Sequence, residues 1–139
     1  MLNEEAVLEV NQRFYKAIND QDLGFMRKIW SEDFPPVCLH PGWKEALRGQ
    51  DAILQSWEAI FSSPDPMEIQ LANIDVSVSQ DLAWVSCEER IFFITLNGVR
   101  RSNVYATNVF KLIKGSWKMV LHHASNLPDL STEEELSTN

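Results

Sequence analysis

The stretch from Leu82 to Ala124 reads LAWVSCEERIFFITLNGVRRSNVYATNVFKLIKGSWKMVLHHA. Asn97-Gly98 interrupts it once, and both positions tolerate a positive φ, so the chain turns back there as a tight hairpin. Lys114-Gly115 interrupts it again and predicts a second tight turn. The segments between are rich in aromatic and β-branched residues, which suit strands. The predicted strands are Leu82 to Leu96, Val99 to Ile113 and Ser116 to Ala124. Strands of about 15 residues exceed the common five or six, and strands that long in a small domain twist and bend through bulges. A bent sheet has a concave face that other elements must cover.

On the N-terminal side, Ser79-Gln80-Asp81 predicts a turn. Before it, Ile69, Leu71, Ile74, Val76 and Val78 form a fourth strand with a register break near Asn73. The first half of the chain has the helical period instead. Val7, Val10, Phe14, Ala17 and Ile18 recur every three or four residues behind a cap at Asn3. Asp20 or Asp22 can cap a second, shorter helix that buries Leu23, Met26 and Trp30 and ends before Pro35-Pro36. Val37 to His40 predicts a short strand. A third helix starts near Gly49 to Asp51, carries Ile53, Trp57, Ile60 and Phe61 on one face, and stops at Ser63-Pro64. The predicted class is α+β: a cone-shaped, curved antiparallel sheet wrapped around three N-terminal helices. Residues 1–127 form one domain, and 128–139, PDLSTEEELSTN, form an acidic tail expected to be mobile or to hold a short helix from Ser131.

The totals restrict the partners. A net charge of −8 opposes nucleic acid, which needs a basic face, and opposes an anionic membrane surface. No apolar run approaches the roughly 20 residues that span a bilayer. MLNEEAVLEV carries acids where a signal peptide needs bases, so the expected setting is cytoplasmic, with Cys38 and Cys87 reduced. Neither a glycine-rich phosphate loop nor a dense metal-ligand motif is present, and the expectation is no cofactor and no metal.

Several strings point to a family. HPGW at His40 to Trp43 precedes the helix that contains Ser56-Trp57; TNVF stands at Thr107 to Phe110; and the last strand runs WKMVLHHAS, Trp117 to Ser125. With the element order, these resemble the SnoaL-like branch of the nuclear transport factor 2-like superfamily, over roughly residues 3 to 127. The resemblance implies a cone-shaped, mostly apolar pocket between helices and sheet. It also implies a homodimer through the sheet's outer face. The superfamily includes ketosteroid isomerase, whose base is an aspartate with a tyrosine and a protonated aspartate opposite. PPVCLHPGW, the segment before the third helix, has no carboxylate, so that set is not matched.

The candidate site residues follow from type and position. His40 can move a proton near neutral pH, or its ring can bond a backbone carbonyl and hold the Pro41-Gly42-Trp43 turn. His122 and His123 are adjacent on a strand and face opposite sides. If Trp117, Met119 and Leu121 face the core, His123 does as well. Glu88 and Glu89 divide between the two faces in the same way. The inward one suits acid–base work, with Glu88 named as the candidate, and the other pairs with Arg90, Arg100 or Arg101. Asn108 shares a face with Phe110 and needs a partner there, either a ligand or a protein group. Tyr15, Trp30, Trp43 and Trp57 complete the expected pocket lining together with Asn108 and His123. The expected function is binding of a small, mostly apolar molecule. The alternative is an enzyme of the isomerase, cyclase or dehydratase kind, in which His40 or the inward glutamate moves a proton of a small carbonyl compound.

Overall fold

The computed structural model describes residues 2–128, apart from the side chain of Leu2. The acidic segment 129–139, with the helix expected from Ser131, lies outside the described residues. The elements are α1 (Leu2–Asn19), α2 (Leu23–Ile29), β1 (Val37–Leu39), β2 (Leu47–Arg48), α3 (Gln50–Phe61), β3 (Met67–Ser79), β4 (Leu82–Thr95), β5 (Gly98–Ile113) and β6 (Ser116–Asn126). Helix α1 begins at Leu2, so Asn3 lies inside it and does not cap it. The cap expected for α2 is Asp22, whose carboxylate accepts from the Phe25 N–H at 3.0 Å.

The strands form one curved, unclosed sheet in the order β2-β1-β6-β5-β4-β3. It is mixed rather than wholly antiparallel. β1 runs parallel to β6, with Val37, Cys38 and Leu39 opposite Leu121, His122 and His123. The three long hairpin pairings are antiparallel. The helices lie across the concave face, where Val7, Phe14, Ile18, Met26, Ile53, Val85, Phe110 and Met119 form the core. Phe14 is wholly buried, which contributes roughly 2–3 kcal/mol relative to exposure. Asn19 fastens the end of α1 to β3: its amide donates to the Ile69 carbonyl at 3.1 Å and accepts the Ile69 N–H at 2.7 Å.

Two bulges set which side chains point inward. In β3 the register shifts between Ala72 and Asp75, where Asn73 takes a φ of 52°. In β6, Val109 opposes Leu121 while Phe110 opposes Met119, so Val120 is the extra residue. Before the bulge, Trp117 and Met119 face the core. After it the alternation restarts one position out of phase, and His122 and Ala124 face the core.

Candidate functional site

The interior contains more polar groups than a packing core needs. Asn11, His40, Ser56, Glu89, Asn108 and His122 are all buried. Five elements bring them together, with one residue just past a sixth. α1 carries Asn11 and Tyr15 one turn apart, within its apolar stripe. Glu89 comes from β4, Asn108 from β5 and His122 from β6. His40 follows β1 and meets Ser56 of α3.

The largest group of these is a directed network. The Tyr15 hydroxyl donates to Glu89 Oε2 at 2.6 Å. Asn108 Nδ2 donates to Tyr15 Oη at 3.0 Å and to Asn11 Oδ1 at 2.8 Å. Asn108 Oδ1 meets His122 Nδ1 at 2.6 Å. His122 Nε2 faces Glu89 Oε2 at 4.0 Å. Burial pushes the Glu89 carboxyl up to about 7, although the Tyr15 hydrogen bond pulls the other way. Burial, and then the negative charge of Glu89, holds the Tyr15 hydroxyl well above its ordinary value. Burial lowers His122 to about 3, helped by the neighbouring His40 and His123, so it is a neutral imidazole at pH 7.

His40 forms a second, smaller group. Ser56 gives its one hydroxyl proton to the Ile53 carbonyl at 2.6 Å. Its oxygen therefore accepts from His40 Nε2–H at 2.8 Å. Burial lowers His40 to about 4. The ring does not hold the following turn; the His40 carbonyl does, accepting the Trp43 N–H at 3.1 Å. The Trp43 ring lies 4.6 Å from the His40 ring, and Trp57 meets His40 edge-on at 4.8 Å. Trp57 links the two groups, since its ring is also 6.3 Å from that of His122.

The expected lining residues divide. Tyr15, Trp30, Trp57 and Asn108 are buried inside, whereas Trp43 is 44% exposed and covers His40 from outside. Two facings reverse. Glu88 points outward, with its carboxylate 3.7 Å from the Arg90 guanidinium, and Glu89 is the inward glutamate at 3% exposed. His123 is exposed and His122 is inward, because the Val120 bulge shifts the strand's phase. Asn11, Ser56 and His122 stand in the site without having been expected there from sequence, and Glu89 rather than the named candidate Glu88 is the inward one of the two glutamates. Asn11 carried a legible signal: it stands four residues after Val7 and three before Phe14, a polar residue at the centre of an apolar stripe. Among the described residues no group of three or more His, Cys, Asp or Glu could hold a metal ion.

A mostly apolar cavity of about 210 Å³ opens where the ends of α1 and α3 approach the start of β3 and the end of β4. Ile18, Ile60, Phe61, Met67 and Phe93 are among its walls. Phe61 packs against Trp57 at 5.9 Å, so the cavity is two aromatic rings away from the imidazoles.

The model of the SnoaL-like domain matches residues 7–129. The chain belongs to the SnoaL-like family. This SnoaL-like chain is 29% identical to a solved structure of a proposed dehydratase of the NTF2-like family from Streptomyces avermitilis, with a TM-score of 0.84 over 92% of this chain and 98% of that one. A proposed calcium/calmodulin-dependent protein kinase type II association domain from Thiobacillus denitrificans is 26% identical, with a TM-score of 0.72 over 86% of this chain and 93% of that one. The F-box protein SKIP8 of Arabidopsis thaliana is 28% identical over 120 residues, which is 86% of this chain. The SnoaL-like chain spans about half the length of that curated relative, 49%. No helix among the described residues is long and apolar enough to cross a membrane.

Proposed function

We propose that this SnoaL-like domain binds a small, mostly apolar, oxygen-bearing molecule between its helices and sheet, held by Tyr15, Glu89 and His122. One observation carries the reading: a carboxyl group stands in a core where an apolar side chain would stabilise the fold better. Burying a charge that is not fully paired costs several kcal/mol, so such a group calls for a role other than packing. Helices and sheet also leave a mostly apolar cavity of about 210 Å³ beside Phe61, smaller than the roughly 300–1,000 Å³ of drug-sized sites and lined by none of Tyr15, Glu89 and His122. A second reading, proton transfer to or from the bound molecule, is favoured by the Glu89 carboxyl at about 7, where it gives and takes a proton with equal ease. The similarity to the proposed dehydratase supports that chemistry as well.

Titration of cyclohexanol and cyclohexanone into the full chain at pH 6, followed by tryptophan fluorescence, tests both readings. Saturable binding that weakens above pH 7 in the parent, and not in Glu89→Gln, is the expected result. Recovery of each compound from deuterated buffer then reports by mass whether a C–H bond has exchanged in the parent and not in the variant. Absence of binding to either compound overturns the first reading, and absence of exchange overturns the second.

The outer face of the sheet supports a homodimer. Leu82, Trp84 and Tyr105 are all exposed there. Trp84 stands in a row with Val109 and Leu121, so the apolar surface is continuous across three strands. Light scattering after gel filtration is expected to give twice the chain mass for the parent, and the single mass for Trp84→Arg. A parent at the single mass sinks this part. The two buried free thiols, Cys38 and Cys87, suit a reducing, cytoplasmic setting.

A further inference from the structure

We propose that the molecule this site selects is an alcohol, whose hydroxyl group sits between His122 Nε2 and the Glu89 carboxyl. The inference rests on the ligand-binding reading above and adds the functional group that the protein recognises.

It follows from counting protons. Tyr15 has one hydroxyl proton, and the 2.6 Å bond to Glu89 Oε2 uses it. Tyr15 Oη is then an acceptor toward Asn108 Nδ2 at 3.0 Å. The second Asn108 amide proton goes to Asn11 Oδ1 at 2.8 Å. The amide is thereby oriented, and its oxygen can only accept. The 2.6 Å contact from His122 Nδ1 to that oxygen is an Nδ1–H donor. A neutral imidazole has a single N–H, so Nε2 carries a lone pair. Asn108 is the positioning residue here: it sets the tautomer of His122 and leaves the Tyr15 proton to Glu89.

The lone pair on Nε2 faces Glu89 Oε2 at 4.0 Å, beyond hydrogen-bond reach. One oxygen about 2.8 Å from each atom spans that separation, with its two bonds near a right angle. A hydroxyl group meets both demands. Its proton goes to Nε2, and its oxygen accepts the proton that Glu89 carries. A ketone or an ether offers acceptors alone and leaves Nε2 unmet in a desolvated core, the situation in which a polar site rejects an analogue most strongly. Phe14 and Trp57 pack against the His122 ring, so the surroundings of the imidazole are apolar.

The test titrates cyclohexanol, cyclohexanone and methoxycyclohexane into the full chain at pH 6, where Glu89 is mostly protonated. Cyclohexanol is expected to bind at least about tenfold more tightly than either of the others. Asn108→Leu removes the acceptor that holds the proton on Nδ1. In that variant Nε2–H becomes available as a donor, and cyclohexanone is expected to draw level with cyclohexanol or pass it. Nitrogen-15 spectra of the parent read the His122 tautomer with no ligand and no variant, and Nδ1–H is expected. An Nε2–H tautomer in the parent, or equal affinity for alcohol and ketone, overturns the proposal while leaving the ligand-binding reading in place. Binding of none of the three overturns both. Should Asn108→Leu fail to fold, the parent's tautomer and its alcohol-to-ketone ratio still separate these outcomes.

Discussion

Glu89→Gln is expected to stabilise the domain at pH 8 by up to about 3 kcal/mol, and by less than about 1 kcal/mol at pH 5. The folded carboxyl titrates at about 7 against an ordinary 4.5, because burial disfavours its charge. Below 4.5 both folded and unfolded chains hold the proton, and the group is indifferent to folding. Between 4.5 and 7 the unfolded chain releases its proton while the folded chain keeps it, so rising pH favours unfolding. Above 7 the loss is complete: about 2.5 pH units at 1.36 kcal/mol each. A glutamine has no charge to bury, and its carbonyl still accepts from the Tyr15 hydroxyl. Urea unfolding of parent and variant at the two pH values measures the difference. A variant no more stable than the parent at pH 8 defeats the claim that this carboxyl strains the fold. A gain in stability together with weaker ligand binding is the pattern expected where a site is kept at the fold's expense.

The architecture was legible in the sequence because its signals are local. Lys114-Gly115 forms the turn expected, with both residues at positive φ, whereas the first hairpin turns one residue earlier than expected, at Leu96-Asn97, and of Asn97-Gly98 only Gly98 takes a positive φ. Asp22 caps α2, and Asn73 breaks the register of β3, each through a conformation that the residue itself prefers. The site was less legible because it depends on phase. Strand alternation has a period of two, so one inserted residue exchanges the faces of everything beyond it. Val120 is such a residue, and no feature of WKMVLHHAS announces it. Unbroken alternation would put His123 inside; the bulge puts His122 there instead. For Glu88 and Glu89 the strand's own pattern was sufficient. Val85, Cys87 and Ile91 are buried with Glu89, whereas Trp84 shares the outer face with Glu88. Trp84, large and apolar but 40% exposed, lies on the face proposed to meet a second copy of the chain. The parallel pairing of β1 with β6 joins segments some eighty residues apart and leaves no local trace.

Between pH 7 and 4.5 the parent is expected to lose about 2–3 kcal/mol of stability through its interior groups, and Glu89→Gln about 5 kcal/mol. The two histidines drive the loss. Burial holds His40 at about 4 and His122 at about 3, against an ordinary 6.5. Both stay neutral in the folded chain while the unfolded chain takes up protons. Their penalty is absent above 6.5, grows as pH falls, and stops growing only when the folded values are reached. At pH 4.5 each histidine is about two pH units into that window, or roughly 2 to 3 kcal/mol. Glu89 works in the opposite sense over the same range, regaining about 2 to 3 kcal/mol as the unfolded chain recovers its proton. The opposing trends offset each other in part in the parent and separate in the variant. Unfolding curves at half-unit pH intervals for the parent, Glu89→Gln, and Glu89→Gln combined with His40→Gln and His122→Gln read the three slopes. The triple variant is expected to be almost flat. A steep acid loss that survives removal of both imidazoles places the sensitivity elsewhere, and with it goes the view that these rings are held neutral by burial. A flat triple variant means that neutral imidazoles are maintained across the working range, the condition under which a lone pair on Nε2 is available to a hydroxyl donor.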